Sequence, residues 1–323
     1  MRLPKSSVIR APSKDMDKHT SVLLSEAVDA LLVAPDNTVV DATIGGAGHF
    51  SVLLNKLGAG GRLIGIDADA DAIERAQKAA AESTVKVELV HDNFRNLGSI
   101  LAGRMIDRAL FDLGWSSFHL SSGRGFSFRV EEPLLMTYGD PSEGTTAADL
   151  VNDLEEGSLA DLIYTLGEER FSRGIARSIV IARDQGRIET TTQLVAAIEG
   201  GVPAWYKHRR IHPATKTFQA LRIAANDELG ALREGLTAAL GALTEGGRVA
   251  VITFHSIEDR IVKQMLLEAA RQGMGAVVTK KPIVPSAAEA SENPRSRSAK
   301  LRVFERSPRA STVMTSNSFA LYA

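Results

Sequence analysis

Three aspartates, Asp41, Asp67 and Asp112, each close a short run of aliphatic and β-branched residues, and Asp41 is followed almost at once by Gly45-Gly46-Ala47-Gly48. A strand, an acid, a glycine-rich turn and then a helix is the arrangement that lets backbone come close to a ligand at a helix N-terminus. Asp67 stands 19 residues after Gly48, a spacing at which a carboxylate accepts from both hydroxyls of a ribose. Folds that bind NAD and folds that bind S-adenosylmethionine share both features, so they do not choose between the two cofactors. The purely structural alternative is a tight turn with a helix-capping Asp.

Two further segments favour S-adenosylmethionine. His91-Asp92-Asn93-Phe94 offers polar contacts and an aromatic face to adenine, with core packing as the other fate of Phe94. Asp112-Leu113-Gly114-Trp115-Ser116-Ser117 ends the fourth apolar run, at the mouth of a sheet beside the switch point where such folds bind ligands. A dehydrogenase needs a hydride partner there, and none is evident.

These residues need a scaffold, and the chain supplies one. Strand-like runs alternate with helical patterns through the first 112 residues, which predicts a parallel sheet flanked by helices. Val39 and Val40 lead into the glycine turn, and Arg62 to Asp67, Val85 to Val90 and Ile106 to Asp112 are the next three strands. From about Ser117 to His212 amphipathic helical segments replace strands. The expectation is therefore an α/β sheet domain over 19–117 and 213–323, carrying an inserted all-helical domain over 118–212, with a mobile tail over 1–18. After Pro213 the pattern predicts one long helix from Phe218 to Leu243, a buried strand over Gly246 to Phe254 and a helix from about Ile257 to Arg271. Two late strands, near Val277 and over Lys300 to Arg306, complete the expected sheet.

Composition narrows the chemistry. With 44% hydrophobic residues among 323, the chain can bury a core, yet it has no apolar run of the roughly 18 residues a membrane span requires. No secretion signal is visible at the start, and the expected location is the cytoplasm. The absence of cysteine excludes disulfides, thiolate metal sites and any base chemistry through a covalent thiol adduct. Net charge is −1, but residues 201–226 hold five bases and no acid, and residues 280–310 hold eight bases and three acids. Each stretch reads either as a path for a phosphate backbone or as a solvated arm.

Seven ordered segments carry a resemblance. They are His19 to Glu26 (HTSVLLSE), Asp41 to His49 (DATIGGAGH), Asp112 to Ser117 (DLGWSS), Gly125 to Phe128 (GFSF), His212 to Arg222 (HPATKTFQALR), Phe254 to Arg260 (FHSIEDR) and Asn293 to Arg302 (NPRSRSAKLR). Together, from about His19 to Arg306, the chain resembles the bacterial 16S ribosomal RNA cytosine-N4 methyltransferases, the RsmH or MraW family. The resemblance implies a class I (Rossmann-like) S-adenosylmethionine methyltransferase sheet interrupted by a helical domain. It implies that Gly45, Ala47, Gly48 and His49 line the cofactor, that Asp67 holds its ribose, and that Phe94, Asp112 and His119 complete the site. The implied partner is 16S rRNA or the small ribosomal subunit, and the implied substrate its decoding-centre cytidine. A homodimer is one assembly the sequence leaves open. Ala47 replaces a usual glycine, His119 a usual glutamine, and Pro133-Leu134-Leu135-Met136-Thr137-Tyr138 stands where the family reads Pro-Leu-Asp-Met-Arg-Met.

On that reading Asp112 either accepts a proton from the substrate amine or serves only the cofactor, with Ser116 and Ser117 as hydrogen-bonding neighbours. His255 is a further catalytic candidate; its structural alternative is a helix capping box formed by Ser256 and Asp259. A His255–Asp259 metal pair lacks a third ligand at any recognisable spacing. Lys207, Arg209, Arg210, Arg295, Arg297 and Lys300 are the candidates for phosphate contacts, and Trp115 and Tyr138 for stacking on an extruded base. The competing function classes are an RNA-binding ribosome-assembly factor without catalysis, marked by Leu135 and Thr137, and a nicotinamide oxidoreductase.

Overall fold

The computed structural model describes residues 21–114 and 122–308, so the tail 1–18 and Trp115, Ser116, Ser117 and His119 lie outside the described residues. Seven strands form one sheet: β1 Thr38–Asp41, β2 Arg62–Asp67, β3 Lys86–His91, β4 Ile106–Asp112, β5 Leu243–Thr253, β6 Gly275–Val277 and β7 Lys300–Arg306. Their order is β3-β2-β1-β4-β5-β7-β6. The first five are parallel, and β7 runs antiparallel to both of its neighbours.

The central strands are apolar without alternation because both faces of the sheet are covered. Successive side chains point to opposite faces, so neighbours along a strand enter different cores. Leu63, Leu110 and Ala250 pack with Phe50, Leu53 and Leu31, beneath the helices Leu24–Leu31, Gly48–Lys56 and Ala70–Ala80. Ile64, Phe111 and Val251 pack with Leu236, Leu240 and Val262 from the helices Glu228–Ala242 and Ser256–Arg271. The Ala-rich helix starts where Asp69 accepts from the Asp71 amide, and it buries Ala72, Ile73 and Ala76.

A third core contains no sheet residue. Val151, Ile163, Ile175, Leu194 and Phe218 are among its members, drawn from the helices Ala147–Asp153, Glu156–Gly167, Ser172–Arg183, Thr191–Gly200 and Ala214–Ala225, and Leu134 joins them from the segment before the first of these helices. The last of these helices shows that the helical layer runs on past residue 212. The long helix expected from Phe218 to Leu243 is in fact two, because the chain breaks at Asn226 and Asp227, the latter at φ 44°. Periodicity runs unchanged through this break, so the sequence pattern hides it. Asn226 stabilises it by donating from Nδ2 to the Met136 and Arg222 carbonyls, while its Oδ1 accepts from the Tyr138 amide. One half then packs in the helical core and the other against the sheet.

Candidate active site

The carboxyl ends of β1, β2 and β4 bring Asp41, Asp67 and Asp112 to one edge, at the crevice where strand order reverses. Asp41 is fully buried; its Oδ1 accepts from the Thr43 amide at 3.2 Å, while Oδ2 has no hydrogen-bond partner among the described residues. Burial, helped by the charges of Asp112 and Asp67, pushes its carboxyl well above the usual carboxylate range. Asp67 fastens the glycine turn to β2, since its Oδ2 accepts from the Gly45 amide at 2.8 Å and its Oδ1 from the Asp69 amide at 2.9 Å. Burial raises its pKa against the pull of those two bonds. Each oxygen keeps a second lone pair, so the carboxylate holds the turn and still has acceptor capacity.

The turn itself is tight. Gly45 lies at φ 50° and Ala47 at φ 61°, a left-handed conformation that favours glycine. At Gly48 a Cβ would fall 2.0 Å from the Ser21 Oγ, so any side chain here would have to displace that hydroxyl from the start of this helix. The next helical residue, His49, is buried with Nδ1 3.5 Å from Asp112 Oδ2. The Asp112 amide donates to Thr43 Oγ1 at 2.7 Å, which ties β4 back to the segment after Asp41. At Gly114 a Cβ would meet the Phe254 ring at 2.5 Å, so this glycine lets the ends of β4 and β5 converge.

Burial pushes the Asp112 carboxyl up to about 7, with the Glu258 charge adding to the rise and the Gly114 amide opposing it. About a fifth of that side chain still reaches solvent, yet Oδ1 is buried without a hydrogen-bond partner among the described residues. Phe94 packs edge-on against Phe111, centroids 5.7 Å apart, and crowds Gly235; it remains partly exposed at the end of β3.

Behind Asp112 lies a polar cluster that sequence reasoning left mostly unassigned. The helix Ser256–Arg271 is capped by His255 and Glu258, not by Ser256 and Asp259. Glu258 accepts from the Phe254 amide at 3.0 Å, and its Oε1 lies 3.0 Å from His255 Nε2, a contact with poor hydrogen-bond alignment. Ligand atoms of Glu228, His255 and Glu258 lie within 4.8 Å of one another, but Arg222 already holds Glu228 with Nε at 2.9 Å and Nη2 at 3.0 Å. Tyr138 donates to Glu228 at 2.9 Å and stacks on Phe126 at 5.5 Å, so one face of the ring expected to meet a base is covered. Ser256 donates instead to Glu168, and Asp259 binds Arg302 and Lys300, which removes it from any pairing with His255. The signal for Glu258 was present: an acid three residues after His255 is a capping box once the cap is placed one residue earlier. Thr137, at the position of the family's arginine, is buried with Oγ1 unpaired among the described residues.

The candidate phosphate contacts divide. Lys207, Arg209, Arg210, Arg295 and Arg297 are exposed, whereas Lys300 is engaged by Asp259 at 3.0 Å.

Three carboxyl groups surround the crevice, and Asp112 Oδ1 is a buried acceptor with no hydrogen-bond partner among the described residues, an acceptor-rich edge that suits a sulfonium donor. Strand order and site together define a class I S-adenosylmethionine-dependent methyltransferase. The model of the MraW methylase family matches residues 16–307, and the chain belongs to that family. It is 50% identical over 292 residues to ribosomal RNA small subunit methyltransferase H of Deinococcus radiodurans, covering 89% of each chain. The protein of the same name from Brevibacillus brevis is 44% identical over 309 residues, covering 89% of this chain and 98% of the relative. Among solved structures, an rRNA methylase from Streptococcus thermophilus aligns over 94% of this chain and 100% of its own at 13% identity, with a TM-score of 0.41. No helix among the described residues is long and apolar enough to cross a membrane.

Proposed function

We propose that the protein methylates the exocyclic N4 amine of the decoding-centre cytidine in 16S rRNA. The name of its relatives supports the RNA, and the seven motifs support the base. The observation that carries the chemistry is the buried Oδ1 of Asp112 at the switch-point crevice, without a hydrogen-bond partner among the described residues.

Bound S-adenosylmethionine supplies an electrophilic methyl carbon. The cytosine amine is a weak nucleophile because its lone pair is conjugated with the ring, so alignment is the main task, worth roughly 7 to 11 kcal/mol in favourable cases. Asp67 and the Gly45–Gly48 turn hold the cofactor, and Asp112 accepts a hydrogen bond from the amine, then its proton as positive charge builds on nitrogen. With a carboxyl pushed up to about 7, Asp112 is a stronger base than an ordinary aspartate. His255 acts through Glu258, as a positioning residue, and Ser116, Ser117 and His119 lie outside the described residues.

Purified protein incubated with labelled S-adenosylmethionine and undermethylated 30S subunits is expected to place label on N4 of one cytidine, located by mass spectrometry. Activity is expected to rise with pH through about 7 as Asp112 ionises, and Asp112→Asn to lose at least about a hundredfold in kcat. Cofactor binding with no label in RNA would identify an assembly factor instead, and preferential binding of NAD would end the methyltransferase reading.

A further inference from the structure

Trp205 is 55% exposed, an unusual fate for the largest apolar side chain, and it is not loosely held. The helix Ala204–Lys207 carries it beside Tyr206, which is buried. Glu169, with no exposed surface, accepts from the Phe171 amide at 2.9 Å through one oxygen and from the Tyr206 hydroxyl at 2.6 Å through the other. That carboxylate clamps the segment after the helix Glu156–Gly167 to the helix bearing the indole. Burial and the Glu169 carboxylate push the Tyr206 phenol up to about 12, so the clamp persists at any physiological pH. Phe171, Trp205 and Tyr206 meet edge to face, with centroids 4.8 to 5.9 Å apart. The exposed Arg170 guanidinium lies 4.9 Å from the Trp205 centroid and 4.7 Å from that of Phe171.

A fixed, half-exposed indole backed by a guanidinium is a stacking surface for a flat, electron-poor ring. The surrounding charge selects the kind of ring. Lys207, Arg209 and Arg210 are all exposed, and no acid occurs from 201 to 226. Aromatic faces interleaved with cations are how single-stranded nucleic acid is held without sequence readout, the bases stacking while phosphates meet the charges.

The geometry points to Trp205 and Arg170 as a stacking platform for an unpaired nucleotide of the RNA substrate, flanked by Lys207, Arg209 and Arg210 on its phosphates. This rests on the reading of the substrate as RNA and adds to it a second, non-catalytic point of attachment. An unpaired base needs no flipping energy to reach such a platform, so the contact adds affinity and leaves the chemical step alone.

The test uses the full-length protein, a fluorescein-labelled single-stranded RNA decamer and undermethylated 30S subunits. Trp205→Ala is expected to weaken decamer binding roughly tenfold, within the range for loss of one stacked base, and Trp205→Phe to recover most of it. In methylation assays Trp205→Ala is expected to raise KM for the subunit and leave kcat within about twofold, with Tm lowered by only a few degrees for the lost ring contacts with Phe171 and Tyr206. Decamer affinity and subunit KM both unchanged in Trp205→Ala, with methylation of the subunit intact, would overturn the platform alone. Loss of self-association in sedimentation without loss of RNA affinity would likewise overturn it and assign the indole to a contact between copies. Native protein that neither binds the decamer nor labels the subunit would overturn the RNA reading itself.

Discussion

Residues 201–226 and 280–310 carry the same net excess of five positive charges, and the fold treats them differently. In the first, Arg222 is buried against Glu228 and Lys216 donates to the Glu168 carbonyl, but Lys207, Arg209 and Arg210 stay exposed and adjacent, beside Trp205. In the second, Arg302 is buried on Asp259, Lys300 shares that acid, and Arg306 donates to the Leu240 carbonyl. What remains exposed there among the described residues is two separate pairs, Lys280 with Lys281 and Arg295 with Arg297, with Glu289 and Glu292 between them. A segment's charge is therefore no guide to a phosphate surface until burial has removed the cations that hold the fold together. The first segment keeps its exposed cations adjacent, whereas the second scatters them and commits the run from Lys300 to Arg306 to the fold.

The sharpest challenge to this contrast is Arg302→Ala. It leaves Asp259 buried with only Lys300, and a loss of about 3 kcal/mol in unfolding free energy is expected from denaturant titration. A variant as stable as the native protein but defective with RNA would reverse the assignment of the second segment. Next in size is the triple change Lys207→Ala, Arg209→Ala and Arg210→Ala. RNA affinity is expected to fall about tenfold or more and the slope of log affinity against log salt to shrink by roughly 2, with stability unchanged within about 0.5 kcal/mol.

A pH series refines the comparison further. Burial pushes the Asp259 carboxyl up, but the hydrogen bonds and charges of Arg302 and Lys300 outweigh it and hold the pKa below the usual range. A group depressed in the folded state stabilises above its unfolded pKa and loses that contribution as pH falls through the folded one. The Tm gap between native protein and Asp259→Asn is therefore expected to be open at pH 7 and to close below about pH 4. The smallest effect expected is that of Arg295→Ala with Arg297→Ala: roughly a threefold change in RNA affinity and a salt slope smaller by about 1. An effect larger than that of the triple change would make the second segment the principal RNA contact.

Much was legible without coordinates because it depends on local pattern. The apolar runs before Asp41, Asp67 and Asp112 fixed parallel strands, and the glycine turn between the first two is a short-range feature of residue type and spacing. The sheet class followed from those, the choice of S-adenosylmethionine needed the segments ending in Phe94 and Ser117 and the seven-motif resemblance, and the absence of cysteine bounded the chemistry. Tertiary structure alone decided the features that join distant residues. The break at Asn226 and Asp227 is invisible to periodicity, because apolar spacing continues while the two halves turn toward different cores. Pairings such as Arg222 with Glu228, Tyr138 with Glu228, and Arg302 with Asp259 depend on which side chains the fold removes from water. A buried charge must find its partner wherever the chain has placed one, and that placement is set by packing, not by distance along the sequence.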